Sequence, residues 1–165
     1  MSSQVNPFHN NAEKSQIWNM LVKRDIVAFV TQDWNMVACD FIQEGFLGID
    51  AKGSNNPDDW AINFPTLAIY RDEWLRQAAE SAKTKYTEDR TDGIFRATTL
   101  EQIDINGNSA VAHKKFDGSI QRTDGGADIL HWQTLYFCRK EDSIWKITGF
   151  IGYLPLDMGG SALSD

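Results

Sequence analysis

The chain has few of the residues that build covalent or metal scaffolds. It holds two cysteines, Cys39 and Cys138, each among apolar neighbours. That placement suits buried reduced thiols and argues against a disulfide framework. The three histidines, His9, His113 and His131, share no element at ligand spacing, so no metal site is expected. Base is scarce too: 16 Lys and Arg stand against 23 Asp and Glu, a net charge of −7. A nucleic acid or an anionic membrane needs the opposite balance, so neither is expected as a partner. No run approaches the roughly 18 apolar residues of a membrane span. The opening, MSSQVNPFHNNAEKSQ, has no basic region followed by an apolar stretch. Gly159 and Gly160 lack the strand-to-helix turn that would cradle a phosphate. These absences predict a soluble, cytoplasmic protein without a cofactor.

What is present is a full core: 165 residues, 42% of them hydrophobic, fit one domain of ordinary size. The clearest pattern lies between Asp128 and Pro155. The runs DILHWQTLYFCRK and SIWKITGFIGYLP, separated only by Glu141 and Asp142, read as a long β-hairpin. Each carries large residues on both faces, so both faces need a cover. One cover is a helix. The other is a pocket's ligand, a partner subunit or both.

Helices come first along the chain. Residues 1–11 read as a loose arm able to lie on a neighbour, 12–155 as one α+β domain, and 156–165 as a flexible tail. Ile17, Trp18, Leu21 and Val22 recur at helical spacing from Ala12 to about Arg24. If that helix continued to Val30, Asp25 would fall inside its apolar arc. Reading Asp25 as the cap of a second short helix, IVAFVTQ, avoids a buried carboxylate. A third helical segment, NMVACDFIQ, follows. GFLGID reads as a short strand and AKGSNNPDD as a surface loop. Pro65 opens the best helix, with Leu67, Tyr70, Trp74, Gln77 or Ala78, and Ser81 in phase through about Tyr86. IFRATTLEQIDI and SAVAHKKF form a hairpin through Asn106 and Gly107, and Gly118 to Gly126 reads as a flexible loop.

This order, with the acid-rich opening RDIVAFVTQDW and the ending DSIWKITGF, resembles the SnoaL-like group of the nuclear transport factor 2-like superfamily over roughly Ala12 to Pro155. The resemblance implies a cone: a curved antiparallel sheet wrapped around the long helix, with a pocket at the open end and, in many members, pairing through the outer sheet face. It implies cofactor-independent isomerisation, cyclisation, dehydration or ring opening of small apolar molecules in some members, and binding alone or support of a partner in others. Where the family's enzymes place an acid near the end of the early helices, this chain offers Asp40, Glu44 and Asp50. The first-helix tyrosine of its steroid isomerases is replaced by the stretch of Ile17, Trp18 and Leu21. Instead of the Asp-Arg-Asp set of its epoxide hydrolases, Arg122, Asp124 and Asp128 lie in or beside a loop.

Carbon-acid chemistry needs a carboxylate or imidazole in an apolar cleft and a donor to the developing oxyanion. Asp40 and His113 are the catalytic candidates. His113 shares a strand face with Val111 and Lys115 and reads either as a pocket base or as a strand histidine satisfied by a neighbour. His131 reads as a core or interface residue. Trp60, Tyr70, Trp74, Trp132 and Tyr153 are candidates to line an apolar substrate cavity, the alternative being core and dimer interface. Tyr70 and Trp74, one helical turn apart, are expected to face Trp132 and His113. The reading is a pocket protein, an isomerase, cyclase or dehydratase, for a small apolar or aromatic ligand, dimeric through its sheet. The alternatives are a non-catalytic binding or assembly module and a small accessory subunit of an oxygenase.

Overall fold

The computed structural model describes residues 5–158, and the expected tail therefore lies largely outside the described residues. Helix α1, Ala12–Trp18, passes through a π-helical segment, Asn19–Arg24, directly into α2, Asp25–Thr31. Asp25 keeps helical backbone angles, φ −59° and ψ −47°. The chain therefore does not break there, and Asp25 is no cap. The π segment has wider turns than an α-helix, a feature often found at functional sites. Gln32, in the left-handed conformation at φ 57°, ends the helix.

The expected third helix is two 3-10 turns, Trp34–Met36 and Ala38–Asp40, the first capped by Asp33 through the Asn35 amide. Segment 5–11 is not loose. Asn6 bonds Ser15 Oγ at 2.9 Å, and Phe8 packs on the core.

Strand β1, Leu47–Asp50, and β2, Ala61–Phe64, flank the loop that carries Trp60. Helix α3, Leu67–Lys83, is capped by Thr66, which accepts from the Ile69 amide. Helix α4, Arg90–Ala97, is capped by Asp89, and its second half, from Ile94, occupies residues whose sequence reads as the start of a strand. Its amphipathic pattern is only two turns long, and Gly93 masks it. That glycine is needed for packing, because a Cβ there would come within 2.9 Å of Ile120.

The strands β3, Thr98–Asn106, β4, Ser109–Gln121, β5, Ala127–Glu141, and β6, Ile144–Leu154, form the expected antiparallel meander. The β5–β6 turn centres on Asp142 and Ser143, both at positive φ, one residue beyond the Glu141–Asp142 pair. The first four residues of the expected 118–126 loop are strand, and the turn is confined to 122–126. The sheet order is β2-β1-β6-β5-β4-β3, with β1 parallel to β6. The sheet is thus mixed and not closed into a barrel. The helices cover its inner face. Among the described residues no helix is long and apolar enough to cross a membrane.

Candidate active site

Alternation along the strands decides which residues meet the helices. On β4 the inner set is Ala110, Ala112, Lys114 and Phe116, and on β5 it includes Leu130, Trp132, Thr134 and Tyr136; register pairs Lys114 with Thr134 and Phe116 with Trp132. Opposite them, α3 presents Tyr70, Trp74 and Gln77, and α2 presents Asp25, Ile26 and Phe29. Between these layers lies a cavity of about 200 Å³, also touched by Ile94, Phe64, Phe150 and Tyr153. Aromatic edges and faces build its wall. Tyr70 packs 4.9 Å from Phe150 and 5.4 Å from Phe64, Trp74 lies 5.7 Å from Phe29, and Trp132 lies 4.8 Å from Phe116 and 5.5 Å from Tyr153.

Two carboxylates line this cavity: Glu73, which pairs with Arg76 and accepts from Gln77, and Asp25, which meets a buried ammonium. Asp25 Oδ2 accepts from Lys114 Nζ at 3.0 Å, and its Oδ1 accepts from the Trp74 indole N–H at 3.4 Å. The lysine side chain is 1% exposed, against 27% for Asp25. Its ammonium also donates to the Leu21 carbonyl at 2.5 Å and lies 5.1 Å over the Phe116 ring. A buried ammonium needs such compensation, since desolvation is repaid only by a counter-charge and good hydrogen bonds. The Leu21 carbonyl lies within the π-helical segment, four residues before Asp25, so one stretch of helix supplies two of the lysine's partners.

Burial pushes the Tyr70 and Tyr136 hydroxyls well above the phenol value of 10.0, and the Asp25 charge adds to the rise. Burial likewise raises Tyr153 and Tyr86, the latter with help from its bond to Asp128. The cavity tyrosines are therefore protonated donors at neutral pH. All four tyrosines of the chain carry raised values. The unfolded chain releases phenolic protons above pH 10 that the folded chain retains. These groups thus leave stability intact below that pH and erode it as pH rises beyond it. We expect phenolate absorbance of the folded protein to lag behind that of free tyrosine as pH rises past 10, with an abrupt further rise on unfolding; a smooth titration of all four centred at 10 would contradict it.

The structure gathers Tyr70, Trp74, Trp132 and Tyr153 around one cavity. Trp60 lies elsewhere, its indole donating to the Ser54 carbonyl at 2.9 Å. His113 is on the opposite face of β4 from Lys114, half-buried between Gln102 and Leu135. Asp40 makes a two-point pair with Arg24, at 2.8 and 2.9 Å, and touches only a gap of about 10 Å³ beside Asp25. His131 bonds Asp117 at 3.1 Å on the exposed face. Arg122 pairs with Asp124 and Asp128 at the β4–β5 turn, away from the cavity. Cys138 is buried, its thiol pushed up to about 12 by desolvation, whereas Cys39 is exposed rather than buried. No cluster of metal-ligating side chains occurs among the described residues.

Asp25, Lys114 and Tyr136 are the site residues that the sequence reading does not select. A signal for them exists. Asp25 falls in the apolar arc of an unbroken helix, and Lys114 falls on the β4 face of Ala110 and Ala112. Two opposite charges assigned to apolar faces need each other as partners.

No family model and no curated protein matches the chain by sequence. Solved structures match it in shape. A nuclear transport factor 2-like protein of unknown function from Pseudomonas putida is 16% identical, with 91% of this chain and 92% of that chain covered and a TM-score of 0.57. A second such protein, from Shewanella oneidensis, is 15% identical over 85% of this chain and 98% of its own, at a TM-score of 0.51. A provisionally named scytalone dehydratase from Novosphingobium aromaticivorans is 17% identical over 87% and 84%, also at 0.51. The fold is that of the nuclear transport factor 2-like superfamily, an α+β cone.

Proposed function

We propose that the protein is a cofactor-independent enzyme of the SnoaL-like type, in which Asp25 moves a proton on a small apolar or aromatic carbonyl compound. The single observation behind this reading is that carboxylate in an aromatic cavity, held by a buried ammonium at 3.0 Å and an indole at 3.4 Å. Asp25 takes a proton from the carbon beside the substrate carbonyl, and the C–H electron pair moves into the new C=C bond. The carbonyl oxygen becomes an oxyanion that accepts hydrogen bonds from the Tyr70 and Tyr136 hydroxyls. Returning the proton at another carbon completes an isomerisation; in a dehydration the oxyanion re-forms the carbonyl, the C=C bond shifts to expel the hydroxyl on the β-carbon, and that hydroxyl takes the proton from Asp25 and leaves as water. The dehydratase name borne by one structural neighbour supports this class of chemistry on the fold. Fold alone does not choose it.

Exchange in heavy water tests the reading without knowledge of the natural substrate. Cyclic and aromatic ketones with acidic C–H bonds are incubated with the protein, and deuterium uptake is followed by NMR. Uptake above buffer is expected for some of them, and Tyr70→Phe lowers it roughly 10²-fold, the effect of removing one oxyanion donor. Absence of uptake across such a panel would sink the reading. Asp40→Asn and His113→Ala serve as comparisons: both lie outside the cavity, so each is expected to leave uptake within about twofold, as remote changes usually do.

Assembly through the outer sheet face is part of the proposal. Register aligns Ile49, Ile151 and Leu135 in one row and Leu47, Phe137 and Val111 in the next, with Leu47 and Phe137 each 40% exposed. A second copy of the chain covers such a strip in an isologous dimer. Sedimentation at micromolar concentration is expected to give a dimer, and Phe137→Lys a monomer. A monomeric wild type would refute it. A cytoplasmic location belongs to the same reading, supported by two free thiols.

A further inference from the structure

The cavity does not end at its aromatic wall. A second, open chamber of about 690 Å³ lies outside it, bounded by the β1–β2 loop, the outer part of β5 and the segment after β6. Gln77, Trp132 and Tyr153 line both chambers, so they are the partition between them. Hydrogen bonding across the partition joins helix to sheet: Gln77 Nε2 donates to the Tyr153 hydroxyl at 3.1 Å and to Glu73 Oε1 at 3.0 Å. Tyr153 is held in the left-handed conformation at φ 57°. That is an unfavourable state for an aromatic residue and is kept where the surroundings fix it. The fixing contacts are visible, since the Gly53 amide donates to the Tyr153 carbonyl at 2.8 Å and the Ala51 amide to the Gly152 carbonyl at 2.9 Å.

Size and lining separate the two chambers chemically. The inner one, about 200 Å³, falls short of the roughly 300–1,000 Å³ of ligand pockets, yet a cavity of about 150 Å³ already takes benzene. One or two fused rings fill it. The outer chamber lies within the usual ligand range and is the more polar of the two: beside the apolar Leu154, Pro155 and Leu156, the side chains of Asp50, Asp157, Lys52 and His131 stand around it. Acids and bases are both present, so neither a pure anion nor a pure cation is matched there. A neutral group that both donates and accepts hydrogen bonds is matched.

We infer that the ligand is bipartite: an apolar head of one or two fused rings beside Asp25, joined past Gln77 and Tyr153 to a neutral, hydroxyl-bearing substituent in the outer chamber. This inference rests on the inner cavity's being the ligand site, and the experiment keeps the two apart. Binding of 2-naphthol and of its β-glucoside to the intact protein is measured by calorimetry. Both bind, and the glucoside binds about tenfold more tightly, the gain of one or two net hydrogen bonds. The double variant Lys52→Ala/His131→Ala removes that gain and leaves 2-naphthol unchanged, whereas Trp74→Ala weakens both. If 2-naphthol binds but the glucoside gains nothing, or if the outer variant weakens both equally, the bipartite ligand is refuted and the inner site stands. If neither compound binds, both readings fall.

Discussion

Asp25→Asn is expected to cost roughly 10²–10⁴ in turnover, the contribution of a positioned general base. The amide is the same size and still reaches the Trp74 indole, so substrate binding changes little and the loss falls on kcat rather than KM. The measurement is deuterium exchange, or turnover of any substrate found, under single-turnover and steady-state conditions. Loss of binding with an unchanged rate constant would show that Asp25 only shapes the cavity. Full activity in the variant would remove the proton-transfer role altogether.

The second large effect is on stability, and its asymmetry is the test. Asp25→Ala strands an ammonium that is 1% exposed, leaving the Leu21 carbonyl and the Phe116 and Tyr136 rings around it. Breaking a buried pair in this way costs about 3–5 kcal/mol, or a Tm lower by roughly 10 °C for a domain of this length. Lys114→Met strands a carboxylate that faces a cavity, where water can solvate it, so its cost is smaller. The double variant, having no charge to strand, should be more stable than Asp25→Ala alone. Urea unfolding of the four proteins completes the cycle. Additive losses would mean that the two charges do not stabilise each other, and the geometry at 3.0 Å would then carry no energetic weight.

Local pattern made much of the fold readable. Strand-forming runs bounded by turn residues mark β3, β4, β5 and β6, and helical spacing from Leu67 onward marks α3 together with the shared face of Tyr70 and Trp74. The sequence misleads where two local rules compete. A carboxylate in an apolar arc is costly, and capping by Asp25 offers a cheaper local account than one unbroken helix. The cost is met by a residue 89 positions away. Helix α4 is hidden in the sequence because the β-branched and aromatic residues Ile94 and Phe95 mimic the strand that follows. At His113 alternation separates two faces of the sheet without saying which is inner.

By itself the sequence determined a single α+β chain with a long amphipathic helix and an antiparallel meander, because those depend on periodicity and turn chemistry within a few residues. It also determined that aromatic rings of α3 and the last hairpin share faces. The tertiary structure alone decided that Asp25 meets Lys114, that Tyr70 and Tyr136 stand in the same cavity, and that Gln77 and Tyr153 divide that cavity from an outer chamber. Each of those depends on which strand face turns inward and on how far the helices stand from it. Both are set by packing between segments remote in sequence, and a buried charge becomes tolerable only once its distant partner is in place.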